Sequence, residues 1–280
     1  MSTRIKLLFF PTLLIFFLSS FSLFAQSPPA DQAAELVGDL RDSMYLQDID
    51  DDALYRKYRI ILADLGELNI NEREMMFWEA QSVYYLARGY QALDTVDEVL
   101  AQDEDLRKGK FKKLQKSYSR LDDIIALYED SMALAGEYLS GGRDARGVRL
   151  YAESLSQLST LKTLGFLMAN GTKITPLAEE AVELDPDEVK AHMLLASRYV
   201  YSPGIWGGNP DKGIAMLEDI AAMDGLDRED EHNIAIGIGF AHTMAERWDE
   251  AVPFFRRALN VYPGNVYAAA MLRLSEAGGS

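Results

Sequence analysis

The chain has no cysteine among its 280 residues. That excludes a thiol nucleophile, a thiolate metal site and any disulfide, so an ordered core must be held together by packing alone. Histidine is almost as scarce: His192, His232 and His242 make the full set. None has a second histidine at metal-ligand spacing, and no H-E-x-x-H occurs. His192 and His242 fall on helix faces near core positions, where a structural histidine is expected. No G-x-S-x-G elbow is present. Gly237-Ile-Gly239 lies within a helical pattern and lacks the third glycine of a nucleotide loop. Gly142 and Gly147 have phosphate-loop spacing, but Val148 and Arg149 stand where Lys and Ser/Thr are required. Asp48, Asp50 and Asp52 begin like a calcium loop, yet Ala53 and Arg59 occupy the positions that need Gly and Glu. These three aspartates are read as a helix start, where carboxylates favour the dipole. Together the absences point to a protein that is not an enzyme and uses no cofactor or metal.

Positive charge is also in short supply. There are 28 Lys and Arg against 44 Asp and Glu, a net charge of −16. A polyanion repels nucleic acid and anionic lipid at long range, so no nucleic-acid partner is expected. Long apolar runs are confined to the start of the chain. Arg4 and Lys6 precede Leu7 to Leu18, followed by Ser19-Ser-Phe-Ser22 and Phe24-Ala25-Gln26. Basic, then apolar, then small residues are the order of a secretory signal peptide, here 1–25. The run is shorter than the roughly 20 apolar residues of a membrane span. Since no cysteine follows it, the expected product is exported to a bacterial periplasm and not lipid-anchored. Residues 26–30, with Pro28 and Pro29, read as a linker.

Past residue 30 the periodicity is helical almost throughout. Ala34, Val37, Leu40 and Met44 predict a helix over 31–46. A second helix spans Leu54 to Leu65 and stops at Gly66. Asn71 with Glu74 predicts an N-terminus for a helix reaching about Leu93, with a further acidic helix over Asp94 to Asp105. Lys108 to Lys116 reads as a solvated basic stretch. Lys112 to Ser140 carries two apolar stripes. Such a helix is packed on two sides, or seeds a homo-oligomer through a coiled coil; the first reading is preferred. Asp144 to Ala169 is predicted as one helix ended by a left-handed cap at Asn170-Gly171. No stretch alternates apolar and polar residues in the manner of a half-buried strand. The fold class is all-α, with an N-terminal region 31–170 and a C-terminal region 171–280.

The clearest unit runs from His232 to Asn265. Gly239 and Ala251 sit where two antiparallel helices would cross, Phe255 and Ala258 lie on the second helix, and Pro263 stops it. With a period of about 34 residues, this pattern resembles a tetratricopeptide repeat (TPR). The preceding unit pairs Ala191–Tyr199 with Ile214–Ile220, and its connection Ser202–Pro210 is stretched by prolines and glycines into a loop carrying Trp206. The resemblance implies antiparallel helix pairs stacked as a TPR-like solenoid, with Gly264 to Ala277 as the capping helix. It also implies a concave groove lined by the first helix of each unit. That register places Met193, Ser197 and Tyr201 in the groove with Lys190 and Val200, and Ile236 and Phe240 with Asn233 and Thr243. Where some TPR domains clamp a terminal carboxylate with Lys and Asn, this chain has Met193, Ser197, Ile236 and Phe240, so a more apolar occupant is implied. Trp206 is the anchor candidate on the loop. The expectation is a non-catalytic periplasmic scaffold that binds a protein or peptide partner in the cell envelope. A narrower stretch gives an alternative. His192-Met-Leu-Leu-Ala196, Ser202-Pro203 and Trp206-Gly-Gly-Asn-Pro-Asp-Lys212 are similar to the periplasmic T component of TRAP transporters. That likeness implies an accessory of solute transport that binds a small apolar or organic-acid ligand.

Overall fold

The computed structural model describes residues 28–101 and 118–278. The predicted signal segment 1–25 and the run Lys108 to Lys116 lie outside the described residues. Among those described there is no strand. The helices are α1 (Pro29–Leu46), α2 (Asp51–Glu67), α3 (Glu72–Ala101), α4 (Leu121–Ser140), α5 (Ala145–Leu161) and α6 (Leu164–Asn170). They continue as α7 (Ile174–Leu184), α8 (Val189–Tyr201), α9 (Pro210–Ala221), α10 (Arg228–Met244), α11 (Trp248–Val261) and α12 (Val266–Gly278). Short 3-10 turns occupy Gly171–Lys173 and Gly204–Trp206.

Side-chain caps explain most of the starts. Asp50 accepts from the Ala53 amide at 2.7 Å, Asn71 from Glu74 at 2.9 Å and Asp144 from Gly147 at 3.0 Å. Asp227 and Asp230 form a reciprocal capping box at α10. Each such cap contributes about 1 kcal/mol. Several boundaries depart from the sequence reading. α2 runs through Gly66 and closes at Leu68. α3 continues unbroken past Leu93 to Ala101, so no separate helix begins at Asp94. Asp94 instead accepts from the amide and hydroxyl of Ser119, at 2.9 and 2.7 Å. The expected helix 144–169 is two, because Lys162 and Thr163 are extended and the Thr163 hydroxyl accepts from the Phe166 amide to begin α6. Gly171 has φ −58°, so Asn170-Gly171 is no left-handed cap; the chain passes into a 3-10 turn.

Each helix packs on its neighbours: α3 on α4, α4 on α5, α5 on α7, and onward pairwise from α7 to α12. Small residues set the close approaches. A Cβ on Gly239 would lie 2.9 Å from the Phe255 ring, and Ala251, Phe255 and Ala258 are wholly buried. In the loop before α9, Gly207 has φ +90°, and a Cβ on Gly208 would meet the Ser202 carbonyl oxygen at 1.8 Å.

The stack does not stay open. The end of its first helix meets the start of α10 and the α11–α12 connection. The Tyr45 ring, at the end of α1, stacks on Tyr262 at 4.9 Å and lies edge-on to His232 at 5.0 Å. Arg41 pairs with Asp227 at 2.7 Å and Arg228 with Asp42 at 2.8 Å. Asn265 donates to the Tyr45 carbonyl at 3.1 Å, and the Val266 amide donates to the Gln47 side chain at 2.8 Å. Val99 of α3 is buried with Ala270, Met271 and Leu274 of α12. The helix read as a terminal cap is therefore also part of a seam that closes the array on itself. The largest apolar cluster joins Ala33 through Leu158 to Ala181, Ala191 and Tyr262, and so crosses the division drawn at residue 170.

Candidate functional site

Closure encloses a cavity of about 1150 Å³. Its buried end is built by Tyr45 of α1, Tyr84 and Arg88 of α3, Glu153 and Ser159 of α5, and Glu229 and Asn233 of α10. Its outer end is open and mixed in character, with exposed Thr172, Glu179 and Arg198 beside large apolar side chains. Leu164 and Met168 of α6 stand on one side, Tyr201 and Trp206 on the other, and all four are more than half exposed. α3 brings a charged side chain this deep because almost every residue from Phe77 to Tyr90 is buried against α1, α2 and α4. Gly237 lets α10 sit against Leu217, whose Cδ1 would lie 2.7 Å from a Cβ there.

Most charges at the buried end are matched. The Lys190 ammonium contacts Asp230 at 2.7 Å, Asp227 at 3.2 Å and Glu229 at 3.4 Å. Burial alone would lower its pKa, but the three carboxylates prevail and raise it. Glu229 also accepts from the Tyr85 hydroxyl at 2.7 Å and the Tyr45 hydroxyl at 3.0 Å. Burial, then Glu229, pushes the Tyr85 hydroxyl well above its ordinary value. Glu153 is raised by burial while Arg149, 2.8 Å away, opposes the rise. Arg88 differs. It is half-buried at the cavity among Tyr45, Tyr84 and Tyr128, and no carboxylate lies at ion-pair distance among the described residues. The Ser159 hydroxyl, also in the lining, is buried without a hydrogen-bond partner among the described residues.

Of the residues named from the sequence, Met193, Ser197, Tyr201 and Trp206 line this cavity, with Lys190, Val200 and Asn233. Ile236 and Phe240 do not. α10 turns the row Glu229, Asn233, Gly237 to the cavity, and Ile236 and Phe240 fall on the adjacent row, which packs toward α11 and α12. Phe240 touches the site only indirectly, its ring 5.1 Å from that of Tyr201. Thr243 donates to the Gly239 carbonyl at 3.0 Å, away from the cavity. Sequence reasoning missed Tyr84, Arg88, Glu153 and Ser159, because they come from the N-terminal region 31–170, for which no groove register was drawn. The signal for them was Arg88 itself, a charge within a run of aromatic and apolar residues four positions after Tyr84.

No histidine lines the cavity. His192 sits 2.8 Å from the Pro186 carbonyl, and His232 is buried at the seam with Nδ1 3.1 Å from the Ala258 carbonyl. Among the described residues no group of three His, Asp or Glu is placed to hold a metal, and no described helix is long and apolar enough to cross a membrane. No protein-family model matches the chain, and no curated protein matches it.

Proposed function

We propose that this is a non-catalytic binding protein whose closed helical array takes a small organic molecule into its central cavity. The observation that carries this reading is the cavity: about 1150 Å³, with charged and hydroxyl groups at its buried end and large exposed apolar side chains at its mouth. Small-molecule sites are typically about 300–1,000 Å³, largely apolar, with a few convergent polar groups. A volume this large admits a ligand with an extended apolar body. An open groove for a partner helix would need the concave face to remain accessible along its length, and the Tyr45–Tyr262 seam runs against that.

The pairs α8–α9 and α10–α11 are read as TPR-like units, and residues 1–25 as an export signal, which puts the binding event in a periplasm. Likeness of the α8–α9 loop to the TRAP T component supports a place in solute uptake. A second reading has its own observation. Ile205 and Trp206 are 88% and 59% exposed on one short turn beside the mouth, which suits an apolar side chain of a peptide partner. Native mass spectrometry of the full chain, purified without detergent from its own cell envelope, tests the first reading. One small molecule bound per chain, with a fluorescence change lost in Trp206→Phe, is the expected result. Absence of any bound molecule, with no response to a library of organic acids and amphiphiles, would overturn it in favour of the peptide.

A further inference from the structure

Among the described residues three cations line the cavity, Arg88, Lys190 and Arg198. They are not equivalent. Lys190 is surrounded by three carboxylates of the protein. Arg198 is exposed near the mouth, its guanidinium 5.7 Å from the centre of the Tyr199 ring. Arg88 lies at the buried end, with aromatic rings around it and no carboxylate at ion-pair distance among the described residues. Glu229 is the carboxylate whose field reaches it, but that group is already engaged by Tyr45, Tyr85 and Lys190.

A cation withdrawn from water without a counter-ion is costly, and arginine does not relieve the cost by losing its proton. Its planar fork matches one chemistry best, the two oxygens of an oxyanion. The hydroxyl of Ser159, on α5, gives the cavity lining a polar atom without a hydrogen-bond partner among the described residues. Toward the mouth the lining gains the exposed apolar side chains of Leu164, Met168 and Trp206. Glu153 and Glu229 also face the cavity. A doubly charged head would therefore meet about twice the repulsion that a singly charged one meets.

Resting on the binding reading above, we infer that the ligand is a monoanionic amphiphile, a carboxylate seated on the Arg88 guanidinium with its apolar body directed to the mouth between α6 and the Trp206 loop. Isothermal titration of the full chain with decanoate, decyl phosphate and decanol tests this. Decanoate is expected to bind roughly tenfold or more tightly than decanol, with decyl phosphate weaker than decanoate. Arg88→Gln is expected to remove the preference for decanoate over decanol, while Arg88→Lys restores part of the difference. Equal binding of decanoate and decanol to the unaltered protein would overturn the assignment of Arg88 and leave the cavity reading intact. That comparison needs no variant, so a misfolded Arg88→Gln does not protect the idea. Tighter binding of decyl phosphate would overturn the carboxylate. Failure of every amphiphile to bind would remove the cavity reading as well.

Discussion

Replacing Tyr45 with alanine should loosen the seam that turns the helical stack into an enclosure. The Tyr45 side chain is 6% exposed, stacked on Tyr262 at 4.9 Å and edge-on to His232 at 5.0 Å. Its hydroxyl donates to Glu229 at 3.0 Å and accepts from the Asn233 amide at 2.8 Å. Deleting a buried aromatic ring costs about 3–5 kcal/mol. Leaving Asn233 and one Glu229 oxygen without this partner adds roughly 1 kcal/mol, the low end for a stranded polar group, because Tyr85 and Lys190 still hold Glu229. The sum, about 4–6 kcal/mol, is a large share of the about 5–15 kcal/mol by which domains are stable. Tyr45→Phe separates the parts. It keeps the rings and loses only the hydroxyl, and should cost about 1–2 kcal/mol. Urea unfolding of the full chain followed by circular dichroism measures both. A loss under about 1 kcal/mol for Tyr45→Ala would refute the seam as an energetic element. Equal losses for the two variants would refute the division between ring packing and hydrogen bonding.

The same geometry sets three more expected outcomes. Burial depresses His232 to about 4, against a weaker opposing hydrogen bond to the Ala258 carbonyl. Its folded value lies below the ordinary 6.5, so the unfolded chain binds the proton first as pH falls. The stabilisation is full above pH 6.5 and is lost between there and pH 4, by about 3 kcal/mol; an equally steep loss over that window in His232→Phe would contradict this. Gly239→Val places its Cβ within 2.9 Å of the Phe255 ring and should destabilise by about 1–3 kcal/mol, with an unchanged thermal midpoint as the contrary result. Trp206→Ala, at an exposed site, should change stability by no more than about 0.5 kcal/mol while abolishing any ligand-dependent fluorescence from that residue. A clear drop in the unfolding midpoint would mean that the ring is held by the fold.

Much of the local structure was legible because it depends on short-range chemistry. Asn71 caps α3 through a bond to the amide three residues on, and Pro263 comes directly after the end of α11 and its cap Tyr262. The close packing of Gly239 on Phe255 reflects the small-residue pattern of one helix pair. The misreadings have local causes too. Gly66 was tolerated in the last turn of α2, and Thr163 restarted a helix where an unbroken leucine stripe had concealed the break. The site was only partly legible. Met193, Ser197 and Tyr201 sit on one row of α8 facing the cavity, but on α10 the register placed Ile236 and Phe240 one row away from the row that lines it.

Composition and periodicity alone determined an acidic, cysteine-free, all-helical chain of stacked pairs, since helix faces and caps are set by residues three and four positions apart. Tertiary structure decided that the stack closes, because Tyr45 must meet residues about two hundred positions later, and no periodic pattern encodes such a meeting. It also decided where the polar groups converge. Arg88, Glu153 and Glu229 come from three separate helices, and only the curvature of the assembled array turns them toward one volume.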